Sequence, residues 1–239
     1  MRTLLIILLI ASAAVAQAAP KQVRVFVALC DNKTQGIVPV GAKIGNGDDP
    51  DSNLYWGCTD GFGSFFRHIS RWKVMASEKN ISKAVLRRLA LRHLKGDVDL
   101  VADAYRGSEI RQCLKDFEEA ASSNKYDLVA FIGHNGLMDF YLEGPNKVQG
   151  NDTEVMVLCC LSEEYFGDRL RALGCRPVLM TRQLMYPGSF LLQAAIEKWR
   201  SGGSATDFRV AAATAYADNQ KISVRAATGV FEPAKKQDQ

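Results

Sequence analysis

Five short apolar runs punctuate the chain: Val23–Leu29, Val98–Ala102, Asp127–Ile132, Val155–Leu158 and Pro177–Thr181. They are continuous rather than alternating, which fits strands buried on both faces. Between and after them lie segments with helical patterning, at 60–68, 108–121, 162–173, 188–199 and 206–219. The alternation predicts an α/β fold with a mostly parallel central sheet and helices on both faces. Val85–Leu94 suits helix or strand, and the Lys95-Gly96 turn after it favours a hairpin into the run at Val98. A long loop rich in Gly, Asn and Asp, 30–57, follows the first strand; loops of this length are usually functional or mobile.

The first eighteen residues read as a signal peptide. Met1-Arg2 is a short basic start, Leu4–Ile10 an unbroken apolar run, and Ala16-Gln17-Ala18 a small-x-small cleavage site. The expectation is an exported protein, periplasmic or extracellular, with a single α/β domain over 19–232 and a disordered polar tail over 233–239. No later apolar segment approaches the length of a membrane span, so no stable membrane anchor is expected after signal removal. With 47% hydrophobic and 23% charged residues, the 239-residue chain is long enough to bury a core without disulfides. A net charge of +4 gives no support to a nucleic-acid partner.

In a parallel sheet, chemistry gathers at the carboxyl ends of the strands. The run at Asp127 leads into Gly133-His134-Asn135-Gly136, and the run at Val155 into Cys159-Cys160-Leu161-Ser162. If these strands are neighbours, a His and a Cys face one crevice. An imidazole that takes a thiol proton makes the thiolate a nucleophile towards a carbonyl carbon. Gly133 and Gly136 would let main-chain N–H groups approach the developing oxyanion.

The segments Phe131-Ile132-Gly133-His134-Asn135-Gly136 and Val157-Leu158-Cys159-Cys160-Leu161-Ser162 resemble the two motifs of the caspase-like cysteine peptidases, the group of caspases, legumains, clostripain and gingipains. The resemblance covers roughly residues 98–200. It implies a caspase-like three-layer sandwich with a Cys–His dyad and no obligatory third member. Cys160 would be the nucleophile, His134 the general acid/base, and Cys159 a small filler. The N–H groups of Gly136 (or Asn135) and Cys160 would form the oxyanion hole. Two departures stand out: Asn135 separates His134 from Gly136, and Cys159 stands where the family usually has Ala.

Other residues invite functional or structural readings with similar weight. Asp31, Asp103 and Arg106 follow strand ends and would either bind substrate or serve as capping and ion-paired turn residues. Asp48–Asn53 is rich in oxygen ligands but lacks a known calcium-loop spacing, so a solvated loop is favoured. Residues 67–95 hold nine basic residues against one acid, Glu78, and read as a solvated face, with His68 and His93 in it. Cys30 and Cys58 flank the long loop and are the pair best placed to bridge, while Cys113 and Cys175 read as core. The expected function is a cysteine-dependent peptidase or related acyl hydrolase acting on a peptide or protein, with no cofactor and no metal. The alternatives are a non-catalytic binding module on the same scaffold, or a thiol-redox protein using Cys159 and Cys160.

Overall fold

The computed structural model describes residues 18–145 and 150–234. The expected signal segment up to residue 17, and the expected tail from residue 235, lie outside the described residues. The chain folds as an α/β protein around a seven-stranded sheet. In chain order the strands are β1 (Lys21–Ala28), β2 (Trp72–Lys79), β3 (Val85–His93), β4 (Val98–Tyr105), β5 (Leu128–Ile132), β6 (Glu154–Leu158) and β7 (Arg176–Leu179). Across the sheet they run β2-β3-β4-β1-β5-β6-β7. The pairs β4-β1, β1-β5, β5-β6 and β6-β7 are parallel, and β2-β3 and β3-β4 antiparallel.

The apolar runs become the central strands because both their faces are covered. Val23, Val25 and Val27 of β1 enter one core cluster, and Phe26 and Ala28 enter another. Strands β5 and β6 divide the same way: Leu128, Ala130, Ile132, Met156 and Leu158 against Val129, Phe131, Val155 and Val157. The second cluster is closed by Ile110, Cys113, Leu114 and Phe117 of α2 (Ile110–Ser122) and by Phe166 and Leu170 of α3 (Ser162–Ala172). The first is closed by α1 (Phe62–His68), α4 (Ser189–Arg200), α5 (Ala205–Gln220) and α6 (Val224–Thr228), through residues such as Phe66, Ile196, Phe208 and Ala227.

The segment 67–95 supplies two of the three strands of an antiparallel meander, β2-β3-β4, rather than only a basic face. Strand β2 went unread in the sequence because just one of its residues, Trp72, is buried, so it has no hydrophobic period. Its neighbour β3 is a strand, joined to β4 through the Lys95-Gly96 turn as the hairpin reading expects. His93 departs from the solvated reading: it is 4% exposed, packs edge-on to Trp72 at 5.1 Å between ring centroids, and lies between Asp97 and Glu197.

All six cysteines are free, so the expected Cys30–Cys58 bridge is not formed. The long loop is organised by a buried amide instead. Asn53, fully buried, accepts from the N–H groups of Cys30 and Tyr55 and donates to the carbonyls of Cys30 and Asn46. Its carboxylates are also occupied: Asp51 pairs with Arg87 at 2.8 Å, and Asp48 with Arg106. Among the described residues no group of three or more His, Cys, Asp or Glu is placed to hold a metal ion.

Candidate active site

Strands β5 and β6 are parallel neighbours, and their register pairs Ile132 with Leu158. His134 and Cys160 each lie two residues beyond that pair, so the sheet sets both at one end of adjacent strands. The exit from β5 hugs β1. Gly133 has φ +150°, and a Cβ there would stand 2.9 Å from the Ala28 carbonyl oxygen. Only glycine fits both constraints, and it aims the following residue, His134, out of the strand.

The two strand ends are tied by Asn135. Its side-chain N–H donates to the Cys160 carbonyl at 2.7 Å, and its Oδ1 accepts from the Leu137 N–H at 3.1 Å. The second bond caps a 3-10 turn, Gly136–Met138. Gly136 is buried there, where a Cβ would meet the Phe140 ring at 2.9 Å. The residue that interrupts the His-Gly pair in the sequence thus serves as the clamp between the strand ends.

Past β6 the chain makes a tight turn into α3. Leu161, at φ +50°, is left-handed, a conformation that costs a non-glycine residue about 1 kcal/mol. A buried hydroxyl network holds the turn: Thr181 Oγ1 donates to the Cys159 carbonyl and accepts from the Ser162 N–H at 3.0 Å. The Ser162 hydroxyl donates to the Val157 carbonyl and accepts from the Thr181 N–H, both at 2.8 Å. The two adjacent cysteines therefore part company. Cys159 is fully buried, and burial raises its thiol well above the ordinary value. Cys160 is half-buried, with its sulfur against the Met185 backbone: the thiol donates to the carbonyl at 3.5 Å and the Met185 N–H donates to sulfur at 3.4 Å.

The imidazole has its own partner. His134, 7% exposed, has Nε2 2.7 Å from Asp139 Oδ2. The same carboxylate oxygen accepts from the Gly36 N–H of the long first loop at 2.9 Å. Tyr55 of that loop is also buried by the site. Burial raises its phenol, and Cys30, Cys160 and Tyr186 stand close enough to add to the effect.

The remaining sequence candidates have partners of their own. Asp103 is 1% exposed; Arg88 grips it with two bonds of 2.7 Å, and Arg24 pairs with it as well. Asp31 turns back on its own loop, accepting from the Lys33 N–H at 3.1 Å and the Thr34 hydroxyl at 2.6 Å. Arg106 pairs with Asp48 and donates to the Lys83 carbonyl. For all three, the capping or ion-paired reading is the one the side chains adopt. The cavity of about 540 Å³ at the β7 edge, lined by residues such as Arg171, Val178 and Phe208, contains neither His134 nor Cys160.

Sequence reasoning missed Asp139, Thr181, Met185 and Gly36. Asp139 left one signal, a carboxylate five residues beyond His134 in a turn. Met185 and Gly36 act through backbone atoms, which carry no side-chain signature. Comparison with known protein families, curated proteins and solved structures finds no match to this chain.

Proposed function

We propose that the protein is an exported cysteine-dependent peptidase or related acyl hydrolase on a caspase-like three-layer scaffold, with Cys160 as nucleophile and His134 as general acid/base. One observation carries the reading: neighbouring parallel strands in register put His134 and Cys160 at the same end of the sheet, and of the two adjacent thiols only Cys160 is not fully buried. The chemistry follows. His134 takes the Cys160 proton, and sulfur attacks the substrate carbonyl carbon. The resulting oxyanion meets the N–H groups of Cys160 and Gly136. The tetrahedral adduct expels the amine or alkoxide, which leaves with the proton held by His134. Water then attacks the thioester, giving its proton to His134, and the thiol is released as the acid departs. The substrate is a peptide or other acyl compound, and the chemistry of these groups is complete without a cofactor.

A binding module on the same scaffold is the second reading. It is favoured by the partners of the two side chains, since the thiol lies against Met185 and the imidazole against Asp139. Iodoacetamide labelling of the native protein at pH 7, mapped by mass spectrometry, separates the two. The hydrolase reading expects Cys160 to be labelled far ahead of the other five cysteines, with the lead lost in His134→Ala. Labelling at the rate of a free thiol, equal in both proteins, favours the binding module.

A further inference from the structure

We infer that Asp139 is a positioning residue for His134, held in place by the backbone of the long first loop, so that the base is assembled only when that loop is docked. This deepens the hydrolase reading and rests on it. Asp139 Oδ2 receives two hydrogen bonds, from His134 Nε2 at 2.7 Å and from the Gly36 N–H at 2.9 Å. A carboxylate only accepts, so Nε2 carries the hydrogen. In the neutral ring this leaves the lone pair on Nδ1, the nitrogen available to take a thiol proton. The tautomer thus sets the direction of proton transfer.

The Gly36 bond spans 103 positions of sequence and brings a segment with no helix or strand of its own onto the site. The fit is close: a Cβ on Gly36 would stand 2.3 Å from Asp139 Oδ1. Any residue larger than glycine at 36 therefore displaces either the loop or the carboxylate. The loop also carries Tyr55, which is buried and near enough to Cys160 for the two groups to act on each other electrostatically. A substrate lying across the loop would press on the orientation of the base.

The test reads the imidazole directly. Nitrogen-15 NMR of the histidine rings, with the His134 signals assigned by their loss in His134→Ala, should show the Nε2–H tautomer in the native protein. It should show a mixture of tautomers in Asp139→Ala. Iodoacetamide labelling of Cys160 at pH 7 should slow roughly tenfold or more in Asp139→Ala, as the ring loses the acceptor that holds its tautomer and orientation. Asp139→Glu should recover part of the rate, and Gly36→Ala should shift the tautomer ratio in the direction of Asp139→Ala. Circular dichroism melting of each variant separates these effects from unfolding. A native Nδ1–H tautomer, or a labelling rate that Asp139→Ala leaves unchanged while His134→Ala abolishes it, overturns the positioning role and leaves the dyad standing. A rate indifferent to both substitutions overturns the dyad and the positioning role together.

Discussion

Gly133 and Leu161 show how much backbone geometry surrounds His134 and Cys160. One is a glycine at φ +150° pressed against a carbonyl, the other a leucine at φ +50° one residue beyond the thiol. Replacing Gly133 with Ala adds a Cβ where neither the dihedral nor the space allows one. We expect Gly133→Ala to destabilise the protein by about 1–3 kcal/mol in urea unfolding. It should also slow Cys160 labelling, because His134 is the next residue along the displaced strand end. The sequence carried His134 and Cys160 in plain sight, as reactive types at the ends of apolar runs. It hid the Met185 contact, because a hydrogen bond across 25 residues to a backbone amide leaves no mark on residue type. Asp103 misled for the opposite reason. A strand-end carboxylate looks available until Arg24 and Arg88, from the strands on either side, are seen to claim it.

Elements of regular pattern were legible and the irregular ones were not. Strands β1, β4, β5 and β6 are largely buried runs, β7 is a short apolar run with Leu179 buried, and α2 shows its apolar face as Ile110, Cys113, Leu114, Phe117 and Ala121. Strand β2 is held by ladder bonds to β3 and by little burial, so no periodicity announces it. The loop between β1 and α1 is legible only as a loop; its internal order comes from Asn53 and the four backbone groups that its amide satisfies. Asn53→Ala would leave buried N–H and C=O groups of Cys30 unpaired, at about 1–3 kcal/mol for each such group. The expected result is increased amide exchange across 31–57 and a lowered urea midpoint, with the protection of β5 and β6 retained. Loss of protection in the central strands at the same denaturant concentration would show that loop and sheet unfold as one unit.

At the scale of the whole molecule, ionisable groups bound the pH range of the fold. Burial raises the thiols of Cys30 and Cys175 to about 11, and those of Cys113 and Cys159 well above their ordinary 9.0. In the unfolded chain these thiols ionise first, so the folded state holds more protons above pH 9. Stability is therefore full below about pH 9 and falls towards pH 11 as the buried thiols are driven to ionise. Asp51 and Asp99 behave in the opposite sense. Arg87 and Arg92 hold their carboxyls below the ordinary 3.8, so their contribution is present at neutral pH and is lost as the pH falls below that value. Urea midpoints measured under reducing conditions should form a plateau with a shoulder at each end. Replacing Cys113 with Ala should soften only the alkaline one.

The last described residues return to the β7 edge of the sheet, just past that strand. Thr181 bridges Phe231, the Arg182 N–H donates to the Val230 carbonyl, and the Glu232 N–H donates to the Met180 carbonyl. This clasp lies at the root of the segment that presents Met185 to Cys160. During synthesis, Cys160 leaves the ribosome some seventy residues before Phe231, whose bridge to Thr181 steadies the segment leading to Met185. A nascent chain therefore carries Cys160 without its finished surroundings until residues 230–232 have been made.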